Sequence, residues 1–227
     1  MEVQQHLVVV VVGASRGLGR ALALELVRDL VDDAPRQAAP SGSVEPRPRQ
    51  EEEVPPHVRV VLAARDAAGL ASTAAAINKQ QSQQHGVAPC VLEVDLGAAS
   101  DDESSGEGAV AAITAAVEAG VVEARERGHA WRVVVVYAAG VPEPASVRAD
   151  NEDDAEGAPC WRYSRADDWS REEVARWWRV NVGSAVALLS RLQGGLGLVS
   201  QGSPQQPQQQ QGQLVFVYLS SQAAEER

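Results

Sequence analysis

Gly13, Gly17 and Gly19, spaced G-x-x-x-G-x-G in the stretch GASRGLGR, have the residue type and spacing to hold a phosphate. Glycine lets a backbone turn tightly and come close to a ligand, while the N–H groups and positive dipole end of a following helix face the anion. Arg16 lies inside this turn, and Arg65 directly follows a second apolar run, VRVVLAA. Guanidinium groups at such places pair a phosphate ester through charge-assisted hydrogen bonds, whereas an acidic side chain would accept from a free hydroxyl. Further along, Asp95, the amide of Asn181 and the hydroxyl of Ser221 each stand near the end of an apolar segment or inside one.

The elements around these residues supply the context. Leu7 to Val12 is an unbroken apolar run rich in β-branched valine, read as a central parallel strand buried on both faces. Beyond the glycines, Leu18, Leu22, Leu26 and Leu30 recur every four residues, which predicts a helix with one apolar stripe. Strand, glycine turn and helix are contiguous, as a dinucleotide fingerprint requires. Arg16 and Arg65 then fall where an adenosine ribose would sit, and two arginines there favour NADP over NAD. Asp66, beside Arg65, keeps the alternative open, and the bland reading of both arginines is plain surface charge.

The 227 residues suit one domain, a single NAD(P)-binding Rossmann domain of α/β class with a doubly wound parallel sheet. A second strand from Val58 and a helix carrying Leu70, Ala74 and Ile77 complete a βαβ unit; a third strand is read at Ala88 to Val94, ending at Asp95. A helix with Val110, Ile113 and Val117 on one face leads to a fourth strand, Arg132 to Tyr137. Ser170 and Glu173 form a capping box for a helix running to about Leu192, with Val174, Trp178, Asn181, Ala185, Leu188 and Leu192 on one face. Such a face would bury the Asn181 amide, which must then find partners or cost about 1 to 3 kcal/mol unsatisfied. The fifth strand is Leu214 to Leu219, ending at Ser220 and Ser221. Three polar insertions, near 32–57, 142–168 and 201–213, are Pro-, acid- or Gln-rich and read as disordered.

The formal net charge of −11 repels nucleic-acid phosphates and anionic lipid, so neither nucleic acid nor membrane is an expected partner. Cys90 and Cys160 are too few for a disulfide framework or a zinc site, no metal ligand set stands out, and no basic, apolar leader opens the chain. A cytoplasmic location is the expectation.

GASRGLGRAL, the strand ending AAR, VDL at Asp95, EVARWWRVNVGS and LVFVYLSSQAA together resemble the short-chain dehydrogenase/reductase family, and within it the sepiapterin reductase branch. The resemblance implies an NADPH-dependent carbonyl reductase acting on a small-molecule carbonyl, a pterin side chain in that branch, as part of tetrahydrobiopterin biosynthesis. It places Gly13, Ser15, Arg16, Gly17, Leu18, Gly19, Arg65, Asp95, Leu96, Ala139 and Gly140 against the cofactor. Asp95 would meet the adenine amino group, with a solvated strand-end Asp as the other reading. Asn181 would hold a water linked to a catalytic lysine, or else be a core Asn. Ser221 would hydrogen-bond the substrate carbonyl, or merely cap a turn.

Two departures stand against the resemblance. Where the family has Asn-Ala-Gly after the fourth strand, this chain has Ala138, Ala139 and Gly140. No Tyr-x-x-x-Lys occurs: the lysine is Lys79, and Tyr137, Tyr163 and Tyr218 are followed four positions on by Val141, Asp167 and Gln222. The family order 3-2-1-4-5-6-7 would leave the fifth strand as an open edge, inviting association into homo-oligomers. The expectations are therefore an amino-terminal portion of a reductase whose carboxyl-terminal strands and Tyr/Lys pair are missing, or a non-catalytic dinucleotide-binding or scaffold protein.

Overall fold

Among the described residues the sheet is built from five parallel strands in the order β3-β2-β1-β4-β5, with β1 at Gln5–Val12, β2 at His57–Ala64, β3 at Cys90–Glu93, β4 at Ala130–Tyr137 and β5 at Gly212–Tyr218. The computed structural model describes residues 4–32, 57–81, 89–98, 104–140, 170–198 and 212–219; the three expected insertions lie almost wholly outside them. Parallel neighbours need crossovers, and helices supply them: α1 (Gly17–Asp32), α2 (Ala67–Gln81), α3 (Ser104–Glu126), α4 (Arg171–Trp178) and α5 (Ser184–Gly195). Helices α1 and α2 cover one face, packing Ala23, Val27, Leu70 and Ile77 on Val9, Val11 and Leu62. On the other face, α3 and α5 bring Ile113, Val117, Leu188 and Leu192 against Val8, Val10 and Val135. Val8 to Val12 are buried on both faces, the physical reason their run shows no alternation. This is the expected Rossmann-type α/β architecture.

Several sequence expectations shift in detail. The third strand is shorter than Ala88 to Val94, with Asp95 standing two residues past its end. The leucine stripe of α1 is not the buried face: Leu18 is 62 % exposed, while Ala23 and Val27 are buried and Leu22 and Leu26 only half so. Small residues one turn apart, Gly19 and Ala23, let the helix lie close to the sheet, and the bulkier leucines flank the contact. The long helix to Leu192 is interrupted by a π-helical turn at Arg179–Gly183. An extra residue in a turn rotates the faces on either side by about 100° relative to one another, so Ala185, Leu188 and Leu192 are buried while Val174 and Trp178 are exposed. The capping box is present, Glu173 N donating to Ser170 Oγ at 3.2 Å and Ser170 N to the Glu173 carboxylate at 2.9 Å.

At the amino-terminal end of the sheet His6 is fully buried, stacked on His57 with ring centroids 4.5 Å apart and 6.5 Å from the His129 ring. Neither His6 ring nitrogen has a hydrogen-bond partner among the described residues. Nearby, Glu123 is paired to Arg59 at 3.4 Å and to Arg127 at 2.7 Å. At the same end, the buried Trp131 ring lies where a side chain on Gly212 would be, with the Arg125 guanidinium 5.5 Å from the ring centroid.

Candidate functional site

The strand order reverses between β1 and β4, and in open α/β sheets ligands bind beyond the carboxyl ends of strands at such a switch point. The glycine turn lies there. Gly13 has φ +91°, and its N–H donates to the Ala63 carbonyl of β2 at 2.7 Å. A Cβ on Gly13 would stand 2.7 Å from Ala138 C and Ala139 N, so the turn is wedged between the ends of β2 and β4. Gly17 begins α1 with φ +56°, and nothing lies within 4 Å of the place its Cβ would take. At Gly19 a Cβ would collide with the Gly13 carbonyl oxygen. One spacing thus serves three ends: a left-handed turn, an open face at a helix start and close packing of that helix on its own turn. The first N–H groups of α1 have no partners within the helix and border the open face at Gly17.

Helix α2 braces the turn through Thr73 and Gly69, which sequence reasoning did not single out. Thr73 donates its hydroxyl to the Ala14 carbonyl at 3.0 Å in a buried contact. Gly69 admits the Ser15 carbonyl, which would stand 2.7 Å from a Cβ there. Asp66 accepts from Gly69 N–H at 3.0 Å and so caps α2. Asp-x-x-Gly before the apolar positions of α2 was a legible capping signal. Ser15 is a buried residue of the turn itself, and Leu18 is exposed at its rim.

Arg16 and Arg65 are both exposed, at the ends of neighbouring strands that pair Val12 with Ala63. Neither forms an ion pair with a described residue. With Asp66 committed to its helix, Arg65 is the charged side chain at the end of β2 that no local contact claims. Asp95 turns back on its own loop, accepting from Gly97 N–H at 2.9 Å. A Cβ on Gly97 would meet Val180 Cγ2 at 3.0 Å and Arg176 Nε at 3.3 Å, so this loop abuts α4 and the π turn. Leu96 is buried in the same loop.

Asn181 sits inside the π turn and is half-buried, its Oδ1 3.1 Å from the position a Gly140 Cβ would occupy. Its amide therefore faces the Ala138–Gly140 segment that also walls Gly13. Two tyrosines complete this corner. Tyr137 Oη donates to the Val180 carbonyl at 2.5 Å, and Tyr218 Oη donates to the Asn181 carbonyl. Burial raises the Tyr137 hydroxyl pKa well above the phenol range; a hydrogen bond with Ser184 opposes this and the neighbouring Tyr218 adds to it, so the group stays a donor. The structure thus gathers Gly13, Gly17, Gly19, Ala139, Gly140 and Asn181 around the switch point. Ser221 lies outside the described residues, whose last is Leu219, its N–H bonded to the Tyr137 carbonyl at 3.0 Å.

No described helix is long and apolar enough to cross a membrane. Among the described residues no group of three or more His, Cys, Asp or Glu is arranged to hold a metal ion. No protein-family model matches the chain, and no curated protein is significantly similar to it. Among solved structures it is similar to an oxidoreductase from E. coli, yciK, at 16 % identity and a TM-score of 0.49, over 86 % of this chain and 54 % of that one. It is also similar to the landomycin C-6 ketoreductase LanV, solved with bound NADP and rabelomycin, at 17 % identity and a TM-score of 0.47, over 84 % of this chain and 55 % of that one. A third likeness is to an NAD+-bound xylitol dehydrogenase, at 14 % identity and a TM-score of 0.45, over 86 % and 50 % of the two chains. The chain spans about half the length of these proteins.

Proposed function

We propose that the chain is the dinucleotide-binding portion of an NADPH-dependent carbonyl reductase of the short-chain dehydrogenase/reductase type. The observation that carries this reading is the glycine turn at the switch point, open over Gly17 and facing the start of α1. A pyrophosphate suits that place, because unpaired helix-start amides and the helix dipole both favour an anion. The capping of α2 by Asp66 supports NADP over NAD: an acidic side chain otherwise available for a ribose hydroxyl is engaged, while Arg16 and Arg65 are exposed for a 2′-phosphate. When bound, the reduced nicotinamide supplies hydride to a carbonyl carbon. Asn181 would order a water beside Gly140, and Ser221 would donate a hydrogen bond to the substrate oxygen. The substrate class is a small ketone or aldehyde, and the segments around Asn181 and Ser221 favour a pterin side-chain carbonyl.

A second reading follows from the missing Tyr-x-x-x-Lys. A chain that binds the dinucleotide without a proton donor of adequate acidity would act as a sensor or scaffold. Losing a positioned general acid costs about 10² to 10⁴ in rate, so the 227-residue chain is expected to bind NADPH without reducing sepiapterin at an enzymatic rate.

Fluorescence titration tests the binding. NADPH should bind at least about tenfold more tightly than NADH, since each charged hydrogen bond to the 2′-phosphate contributes about 1.5 to 3 kcal/mol. Equal affinities, or an Arg65→Ala variant with unchanged preference, would refute the NADP assignment. In the same preparation, NADPH absorbance followed with sepiapterin should stay flat; turnover lost in Ser221→Ala would show that some other group delivers the proton.

A further inference from the structure

The π turn at Arg179–Gly183 exchanges the regular hydrogen-bond spacing of its helix for a looser one, and such turns displace backbone carbonyls from their usual partners. Two consecutive carbonyls here receive phenols from outside the helix: Val180 from Tyr137 at 2.5 Å and Asn181 from Tyr218. The two tyrosines end adjacent parallel strands and face each other in register. Their rings stack, with centroids 5.9 Å apart and 23° between planes. Tyr137 is wholly buried, whereas Tyr218 is 44 % exposed. The same turn presents the Asn181 amide to Gly140, in the segment that walls the glycine turn.

We infer that Tyr137 and Tyr218 are positioning residues for the dinucleotide cleft, holding the π turn by the Val180 and Asn181 carbonyls so that the Asn181 amide stands at the end of β4. The inference rests on the proposed dinucleotide reading of that cleft. The reasoning is geometric. A phenol is rigid and carries its hydroxyl at a fixed reach, so two stacked phenols set two donors at a defined separation. Two adjacent carbonyls held by those donors cannot both fall back into regular α-helical spacing. Were the turn to relax into plain α-helix, the phase of the helix would change by one residue, about 100°, and the Asn181 amide would swing away from Gly140. Tyr218 makes its contact from a solvent-accessible position, where packing alone does not explain the hydroxyl.

The test uses the full chain and the variants Tyr218→Phe, Tyr137→Phe, Asn181→Ala and Tyr218→Phe with Asn181→Ala. The side-chain amide of Asn181 is identified in an ¹⁵N correlation spectrum by its loss in Asn181→Ala. In both Tyr→Phe variants that signal should move, while signals from β2 and α2 stay in place and the urea midpoint of Tyr218→Phe remains near that of the wild type. NADPH affinity should fall severalfold in Tyr218→Phe and in Asn181→Ala, and the double variant should bind no worse than the weaker single, because one residue acts through the other. NADPH binding by the wild type, with the Asn181 signal unmoved in Tyr218→Phe, would overturn the tyrosine role alone; so would losses that simply multiply in the double variant. No NADPH binding by the wild type, with the Asn181 signal displaced in both variants, would overturn the proposed function and support the tyrosine contact.

Discussion

A single carboxylate decides how the end of β2 is read. Asp66 stands beside Arg65 and has the chemistry to accept from a ribose hydroxyl, yet its oxygen is bonded to Gly69 N–H at 3.0 Å. If Asp66 acts as a cap, Asp66→Ala should lower stability by about 0.5 to 2 kcal/mol in urea denaturation and leave the NADPH-to-NADH affinity ratio nearly unchanged. A variant of full stability with a selective loss of NADH binding would instead make it a ribose ligand. At this scale the sequence was informative wherever a residue's role is local. Gly13, Gly17 and Gly19 were identifiable because positive φ and close packing act within the segment itself. Tyr137 and Tyr218 were not, since their partners, Val180 and Asn181, lie 43 and 37 positions away. Nothing in local pattern announces such a contact.

Among the elements, the strands were the most legible because valine runs leave few other options. All four long strands were identified with ends displaced by one or two residues. Helical faces fared worse: periodicity cannot register a π turn, and a leucine repeat outweighed the small residues that actually meet the sheet in α1. The element with the clearest solution consequence is β5, which pairs with β4 and has no described neighbour on its other side. Val217 and Tyr218, at 38 % and 44 % exposure, lie on this strand, and a parallel edge without a partner strand among the described residues is a template for another chain. Sedimentation velocity at rising concentration should show species heavier than a monomer, diminished by Val217→Lys. A single monomeric boundary throughout would contradict this.

The molecule as a whole should be sensitive to acid through its buried histidine. Burial, with the charges of His57, Arg127 and His129, pushes the His6 pKa down to about 4 against the opposing pull of Glu123, and burial lowers His57 as well. The unfolded chain takes up a proton near pH 6.5, the folded chain only near 4, so unfolding is favoured as pH falls between those values. Such a group removes up to about 1.4 kcal/mol per pH unit over that window. Urea midpoints measured from pH 7 to pH 5 should decline in the wild type and decline less in His6→Leu. The Glu173 carboxylate, whose pKa is lowered by its bonds to Ser170, is common to both proteins and so does not confuse the comparison. An identical decline in both proteins would place the acid sensitivity elsewhere.

The Trp131 ring, lying over Gly212 beneath the Arg125 guanidinium, gives the sheet a built-in clock. Trp131 is 4 % exposed, with the first residue of β5 lying against its ring. After rapid dilution from urea, the emission difference between the wild type and Trp131→Phe would therefore time the arrival of the last strand, separately from the collapse of the four that precede it. A distinct slow phase in that difference signal would mean that β1, β2 and β4, whose ends wall the glycine turn, assemble before the edge strand.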